Sequence, residues 1–252
     1  MSVKTTHASV SSNSWGRDLI LLTLLIGVLF GFMLGSRPLA VPDEGRYSEI
    51  PREMVVTGDY ITPRLNGVKY FEKPPLFYWL ESASIRFLGV NEWALHLWPA
   101  LFALFGALMV YGAGRRLYGR RIGLIAGAVL STSLLYYALS RVVILDMVMS
   151  VLLAAALLAF LLGTHEPPGL SRRLLLWGFY LFAALVTMTK GLIGILIPMM
   201  VIGAWILILN EWRILKTIYL PSGLLLFLIV AAPWHILVSR ANPEFLKFYF
   251  IH

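Results

Sequence analysis

The chain has 252 residues, of which 59% are hydrophobic and 13% charged, with a mean hydropathy of +0.78, the composition of a membrane protein and not of a soluble globule. It contains no cysteine, which excludes disulfides, thiolate chemistry and zinc fingers. Its net charge of +8 is distributed in a way that accounts for membrane topology and leaves no reason to invoke nucleic acid.

In chain order, residues 1–16 are rich in serine and threonine and read as a disordered tail, with 1–18 cytoplasmic. Seven apolar spans follow, over roughly 19–35, 93–113, 122–139, 147–163, 174–188, 192–209 and 218–232, each near the length of about 20 residues that a bilayer requires. The first is too long for a signal-peptide core and has no small-x-small cleavage site before Arg37, so it reads as a retained anchor. Residues 37–92 form a long polar loop carrying fifteen of the charged residues, far more than a short connector needs. Within it, Asp43 is placed to cap a helix, with Glu44 and Glu49 in its early turns. Tyr47, Ile50, Met54 and Val55 recur at helical spacing, which predicts a short amphipathic helix at the membrane interface, bent at Pro51. A turn-rich stretch over 57–67 leads to Pro74-Pro75. These prolines open a second interfacial helix over 76–88, ended by Gly89, and Asn91 is placed to cap the next span. After Ala232 the chain turns polar and ends on aromatic residues, as if entering a further loop.

The basic residues alternate with the spans. Lys4, Arg17, Arg115, Arg116, Arg120, Arg121, Arg172, Arg173, Arg213 and Lys216 fall on one side, with only Asp18, Glu166 and Glu211 as acids. The positive-inside rule makes that side cytoplasmic. The 37–92 loop, the turn at Asp146, the turn at Lys190 and the C-terminal tail then lie outside.

Chemistry is expected at the outer face. From position alone Asp43 reads as a cap and Glu44 as a first-turn charge, and Asp146 as a cap for the fourth span. Carboxylates this close to hydrocarbon are costly and often functional, so Asp43, Glu44 and Asp146 are also candidates to converge on one cavity as a general base or metal ligands. Lys73, Lys190 and Arg240 are outer cations suited to a lipid phosphate, although a lysine such as Lys73 also snorkels to any headgroup. His235 and His252 are isolated, and no His-x-His, Glu-x-x-His or Gly-rich phosphate motif is present.

The wording of the loop says more. Asp43-Glu44-Gly45-Arg46-Tyr47-Ser48-Glu49-Ile50, Pro63-Arg64-Leu65-Asn66-Gly67 and Tyr70-Phe71-Glu72-Lys73-Pro74-Pro75-Leu76 resemble the lipid A 4-amino-4-deoxy-L-arabinose transferases. These group with the protein O-mannosyltransferases in the GT-C class. The Arg141…Leu145-Asp146 turn, Thr189-Lys190-Gly191 and Pro233-Trp234…Asn242-Pro243 match as well, so the resemblance covers about 15–252, the N-terminal portion of the family pattern. It implies an all-α polytopic GT-C-like bundle of about seven transmembrane helices over 19–252, in a bacterial inner membrane. It also implies a glycosyltransferase that takes a sugar from a polyprenyl-phosphate carrier to lipid A or another envelope acceptor. Asp43 matches the best candidate for a base, Asp146 the second acidic position, and Glu44 adjoins them. Lys73 matches the position expected to hold the carrier phosphate. Lys190, Arg64, Tyr70 and Arg240 complete the expected substrate site, and Glu72 matches a position implicated in a divalent-metal site. The competing readings are a transporter or flippase for a lipid-linked substrate and a noncatalytic membrane fragment. Nearly apolar span interiors disfavour the transporter, which needs polar or broken helices at midmembrane depth.

Overall fold

A computed structural model describes residues 13–251, so most of the serine- and threonine-rich tail, and His252, lie outside the described residues. The order of elements is α1 (Asn13–Gly31), α2 (Asp43–Thr57), β1 (Arg64–Leu65), β2 (Val68–Lys69), α3 (Leu76–Leu88), α4 (Glu92–Tyr118), α5 (Arg120–Thr132), α6 (Leu134–Leu139), α7 (Leu145–His165), α8 (Leu170–Lys190), α9 (Ile193–Leu209), a 3-10 turn (Trp212–Lys216), α10 (Leu220–Ala241) and α11 (Phe245–Ile251). Helices α7 and α8 pack together, α4 packs on α5 and α7, α1 leans on α4, and α8 also packs on α9 and α10. The outer faces stay apolar: Leu24, Leu25 and Val28 on α1, Met199 and Met200 on α9, and Leu225 and Ile229 on α10 are all exposed. A contiguous exposed apolar surface of this extent suits lipid and not water.

Among the described residues, five helices are long and apolar enough to cross a bilayer, namely α1, α4, α7, α8 and α10. The expected sixth span is α9, which is apolar but has only 17 residues. The expected third span, 122–139, is not one helix. Thr132 Oγ1 and Ser133 Oγ accept the role of helix enders, donating to the carbonyls of Ala128 (2.8 Å) and Leu130 (3.0 Å). Ser133 itself adopts an extended conformation. Local side-chain bonds of this kind compete with the helical ladder, and the chain restarts as the six-residue α6. The expected seventh span was drawn to stop before Pro233, yet α10 runs through Pro233 to Ala241. One lost backbone donor is outweighed there by tertiary contacts: Trp234 and Val238 are buried, and the Trp234 indole donates to the Ile61 carbonyl at 3.0 Å.

Small residues bring α4 and α5 together. A Cβ on Gly123 would lie 2.6 Å from the Tyr111 carbonyl oxygen and 2.7 Å from the Arg115 nitrogen, a backbone-to-backbone approach that only glycine allows. At the same end of the bundle, the Asp18 carboxylate is buried and accepts from Arg115 (2.7 Å), Arg120 (2.6 and 2.7 Å) and Tyr111 (3.1 Å). That network ties α1, α4 and α5 into one unit. Arg116 pairs with Glu166 at 2.7 Å beside it.

The other end carries the 37–92 loop, folded into α2, a β-hairpin and α3. Asn66 and Gly67 both have positive φ (53° and 78°) between the paired residues Leu65 and Val68, the two-residue turn for which Asn-Gly is the strongest short-range signal. The sequence reading treated this stretch as turns without strands. Glu53 accepts the Gly67 N–H with both carboxylate oxygens (3.2 and 3.1 Å) and so clamps the hairpin to α2. Lys69 pairs with Glu244 at 2.6 Å, and the Asn242 amide donates to the Thr62 hydroxyl at 2.9 Å, fastening the loop to the end of α10. Helix α3 spans the expected residues, and Asn91 caps α4 by accepting from the Ala94 N–H at 2.9 Å.

Candidate active site at the loop-bearing end

Helix α2 does not begin as expected. Pro42 is its N-cap and offers no side-chain bond, and Asp43 is the first helical residue. Freed from capping, Asp43 is 57% exposed and pairs with Arg46 one turn on, at 2.5 Å. The Arg46 guanidinium lies 5.0 Å from the Tyr47 ring centroid and 6.0 Å from that of Tyr70, so cation–π attraction fixes the cation while Asp43 holds one end of it. Asp43, Gly45, Arg46 and Glu49 form one wall of a cleft of about 550 Å³, with Leu65 and Asn66 of the hairpin opposite.

Glu44 faces the other way. Only 1% exposed, it accepts from Arg37 (2.5 Å), from the Ala40 N–H (2.6 Å) and from the Val143 N–H (2.7 Å), and it lies 3.5 Å from His96. Arg37 also donates to the Arg141 carbonyl, and Arg141 donates to the carbonyls of Phe32 and Met33 at the end of α1. The expectation that Glu44 shares in catalysis therefore meets a carboxylate whose oxygens are already engaged and which water does not reach. Its geometry is that of a clamp between α2 and the loop preceding α7.

Asp146 stands in the first turn of α7 and pairs with Lys190, at the end of α8, at 2.5 Å. Burial, first, holds the Tyr47 hydroxyl above its ordinary pKa; Arg46 opposes this, and the charges of Asp43, Asp146 and Glu72 reinforce it. The charges of all three carboxylates thus reach one phenol, that of Tyr47. The Tyr70 hydroxyl donates to Glu72 at 2.8 Å, and burial together with that bond raises its pKa, so it stays a donor. Glu72 is exposed. Lys73 is half-buried and, among the described residues, has no acid within ion-pair distance.

The remaining expected residues are peripheral. Arg64 lies 4.0 Å from Asp59 and donates weakly to the Gly67 carbonyl, shaping the hairpin. Arg240 is exposed near the end of α10, and no contact ties it to the cluster. His235 bonds the Ala231 carbonyl within its own helix, as an isolated histidine is expected to do. Among the described residues no three of His, Cys, Asp or Glu converge, and the partner of Glu72 is a protonated phenol, so no chemical step is derived through a metal.

Sequence reading missed several residues of this end. Arg46 was quoted in a motif without a role, although Asp-x-x-Arg at helical spacing announces the pair. Glu81, on α3, is fully buried with neither oxygen bonded, and burial pushes its carboxyl well above the ordinary range. It had been counted only among the charges of the loop.

A family model described as dolichyl-phosphate-mannose-protein mannosyltransferase matches residues 72–237. The chain belongs to that mannosyltransferase family. Within the wider group, the chain is 34% identical over 229 residues to the undecaprenyl phosphate-alpha-4-amino-4-deoxy-L-arabinose arabinosyl transferase 2 of Sodalis glossinidius. It is 32% identical over 222 residues to the corresponding transferase of Aeromonas hydrophila. These alignments take in 90% and 86% of this chain but only 42% and 40% of the relatives, so the chain spans about two fifths of their length. The crystal structure of ArnT from Cupriavidus metallidurans bound to undecaprenyl phosphate superposes with a TM-score of 0.88 at 33% identity, covering 96% of this chain and 44% of that one. The apo structure of the same protein gives 0.85. The fold is therefore that of a polytopic GT-C membrane protein, as the resemblance implied.

Proposed function

We propose that this chain carries the donor-binding and acid-bearing part of a membrane glycosyltransferase. The transferase takes 4-amino-4-deoxy-L-arabinose from an undecaprenyl-phosphate carrier to lipid A, on the outer face of a bacterial inner membrane. The observation that supports the reading is the pairing of Asp43 with Arg46 and of Asp146 with Lys190 at the loop-bearing end, with the half-buried Lys73 lacking an acidic partner among the described residues. The sugar and the carrier proposed are those of the related transferases.

The chemistry follows from the charges. An acceptor oxygen attacks the anomeric carbon of the donor. The bond from that carbon to the phosphate oxygen breaks, and the carrier phosphate leaves as an anion already stable in water. It needs a cation more than a proton, and Lys73 supplies the cation without first giving up an internal ion pair. The proton of the acceptor passes to Asp43, the accessible carboxylate of the cleft. Asp146, held by Lys190, and Arg46, held by Asp43, order the surrounding field before any substrate enters.

The test is binding of undecaprenyl phosphate to the purified chain in lipid nanodiscs. Saturable binding is expected, weakened at least ~10-fold by Lys73→Ala, as for a lost charge-assisted contact, and unchanged by Asp43→Asn. Binding of equal strength in the Lys73→Ala chain would refute the proposal.

A further inference from the structure

Helices α8, α9 and α10 frame an apolar groove away from the cleft at Asp43. A Cβ on Gly194 would lie 2.4 Å from the Thr187 nitrogen and 2.7 Å from the Ala183 carbonyl oxygen, so α9 closes on α8 at the loop-bearing end. Toward the other end α9 leans on α7, where Trp205 packs edge-on against Phe160 with ring centroids 6.1 Å apart. Helix α10 instead presses onto α8 there, since a Cβ on Gly223 would meet the Tyr180 ring at 2.1 Å. Both helices thus rest on α8, and the space between them has a volume of about 410 Å³. Phe179 and Ala183 line it from α8, Pro198 and Ile202 from α9, and Leu220 and Leu224 from α10. The Tyr180 hydroxyl, the polar tip in this lining, already donates to the Ile218 carbonyl at 3.2 Å. Such a groove accepts a hydrocarbon chain and disfavours a sugar or a phosphate, which would lose their hydration without gaining partners.

Its length and its mouth narrow the choice of chain. From Gly194 to Ile206, both in the lining, α9 rises ~18 Å, close to the ~15 Å depth of one leaflet of the hydrocarbon core. The mouth is formed by the 3-10 turn Trp212–Lys216. Leu215 of the turn and Ile218 just after it line the groove, while Arg213 and Lys216 are exposed beside them. Arg172 heads the stripe of α8 that runs at helical spacing through Leu176 and Phe179 to Ala183. Against these three cations stands Glu211 at the start of the turn, and Glu166 is held by Arg116. The positive-inside rule makes this end cytoplasmic. Basic pockets between spans on that side suit anionic headgroups. We propose that the groove holds an acyl chain of an anionic phospholipid from the cytoplasmic leaflet, with its phosphate among Arg172, Arg213 and Lys216. The inference rests on the membrane orientation and is independent of the donor reading. A lipid held there bridges α9 and α10, which otherwise meet through α8.

The probes are phosphatidylglycerol and phosphatidylcholine of equal chain length, offered to the purified chain in detergent and read by native mass spectrometry. One retained phosphatidylglycerol is expected, preferred ~10-fold over phosphatidylcholine, as a few basic residues at an anionic headgroup allow. A Cβ on Gly203, which lines the groove, meets nothing within 4 Å. Gly203→Phe should therefore fill the groove without forcing the helices apart and abolish retention of both lipids. Gly203→Leu serves the same purpose if phenylalanine lowers the melting temperature. Arg213→Gln combined with Lys216→Gln should keep phosphatidylcholine binding and lower the preference to ~3-fold or less. Equal retention of the two lipids by the parent, a preference unchanged in the double variant, or parent-like retention in the filled variants would overturn the proposal. So would displacement of phosphatidylglycerol by an equal concentration of undecaprenyl phosphate, which would assign the groove to the carrier tail. Undecaprenyl phosphate binding that ignores Lys73→Ala would refute the donor reading alone and leave this site standing.

Discussion

Replacing Glu44 separates a structural acid from a chemical one. Its carboxylate receives Arg37 and the backbone N–H groups of Ala40 and Val143 in a site with 1% exposure. Glu44→Ala therefore strands one guanidinium and two amides at once. Removing one partner of a buried charge pair costs about 3–5 kcal/mol, because the remaining groups keep their desolvation penalty without compensation. For a chain of this size such a loss lowers the melting temperature on the order of 10 °C. Glu44→Gln keeps the volume and one acceptor oxygen, but it turns an NH2 group toward donors, so it should fall between the parent and alanine. The assay is thermal unfolding in a fixed detergent or nanodisc, read beside undecaprenyl phosphate binding and sugar transfer on the same preparations. A Glu44→Ala chain that melts with the parent would refute the clamp. So would one that loses transfer while keeping stability and carrier binding, because Glu44 would then act on the reacting groups.

Asp43→Asn should lower sugar transfer by roughly two to four powers of ten, the span for loss of a general base, with carrier binding unchanged; transfer at the parent rate would show that Asp43 only fixes Arg46. Gly123→Ala forces a methyl against the backbone of α4 and should destabilise the chain by about 1–3 kcal/mol, as overpacking does, seen as a lower melting temperature. Reporter fusions after Gly67 and after Arg116 should report opposite sides of the membrane, the second being cytoplasmic by the positive-inside rule; two reporters on one side would overturn the topology.

The legible parts of this fold are those whose cause is local. Gly89 and Asn91 end and begin helices through their own backbone freedom and side chain, and α3 and α4 meet there as read. The charge asymmetry of the connections is additive along the chain and marked the two ends of the bundle. Where the deciding partner is distant in sequence, the reading failed. Pro233 looked like a stop because its lost donor is local, whereas the bond from Trp234 to Ile61 is not. Asp43 looked like a cap because Asp before a helix usually is one, yet Pro42 takes that position. Glu44 was grouped with Asp43 because adjacent acids look alike in sequence. On a helix they point about 100° apart, and that angle sends one carboxylate into the cleft and the other into the protein.

The same reasoning distinguishes the two ionic ends of the bundle. At one end Asp18 accepts from two arginines and a tyrosine and is closed to solvent, so its charge is consumed in holding α1, α4 and α5 together. At the other, Asp43, Glu44, Glu49, Asp146 and Glu244 each hold a cation, while Glu72 and Lys73 make no ion pair among the described residues. A network that satisfies every charge internally has no free energy to gain from a charged ligand, because any new contact must break an old one. On the proposed reading, Lys73 meets the carrier phosphate without that cost.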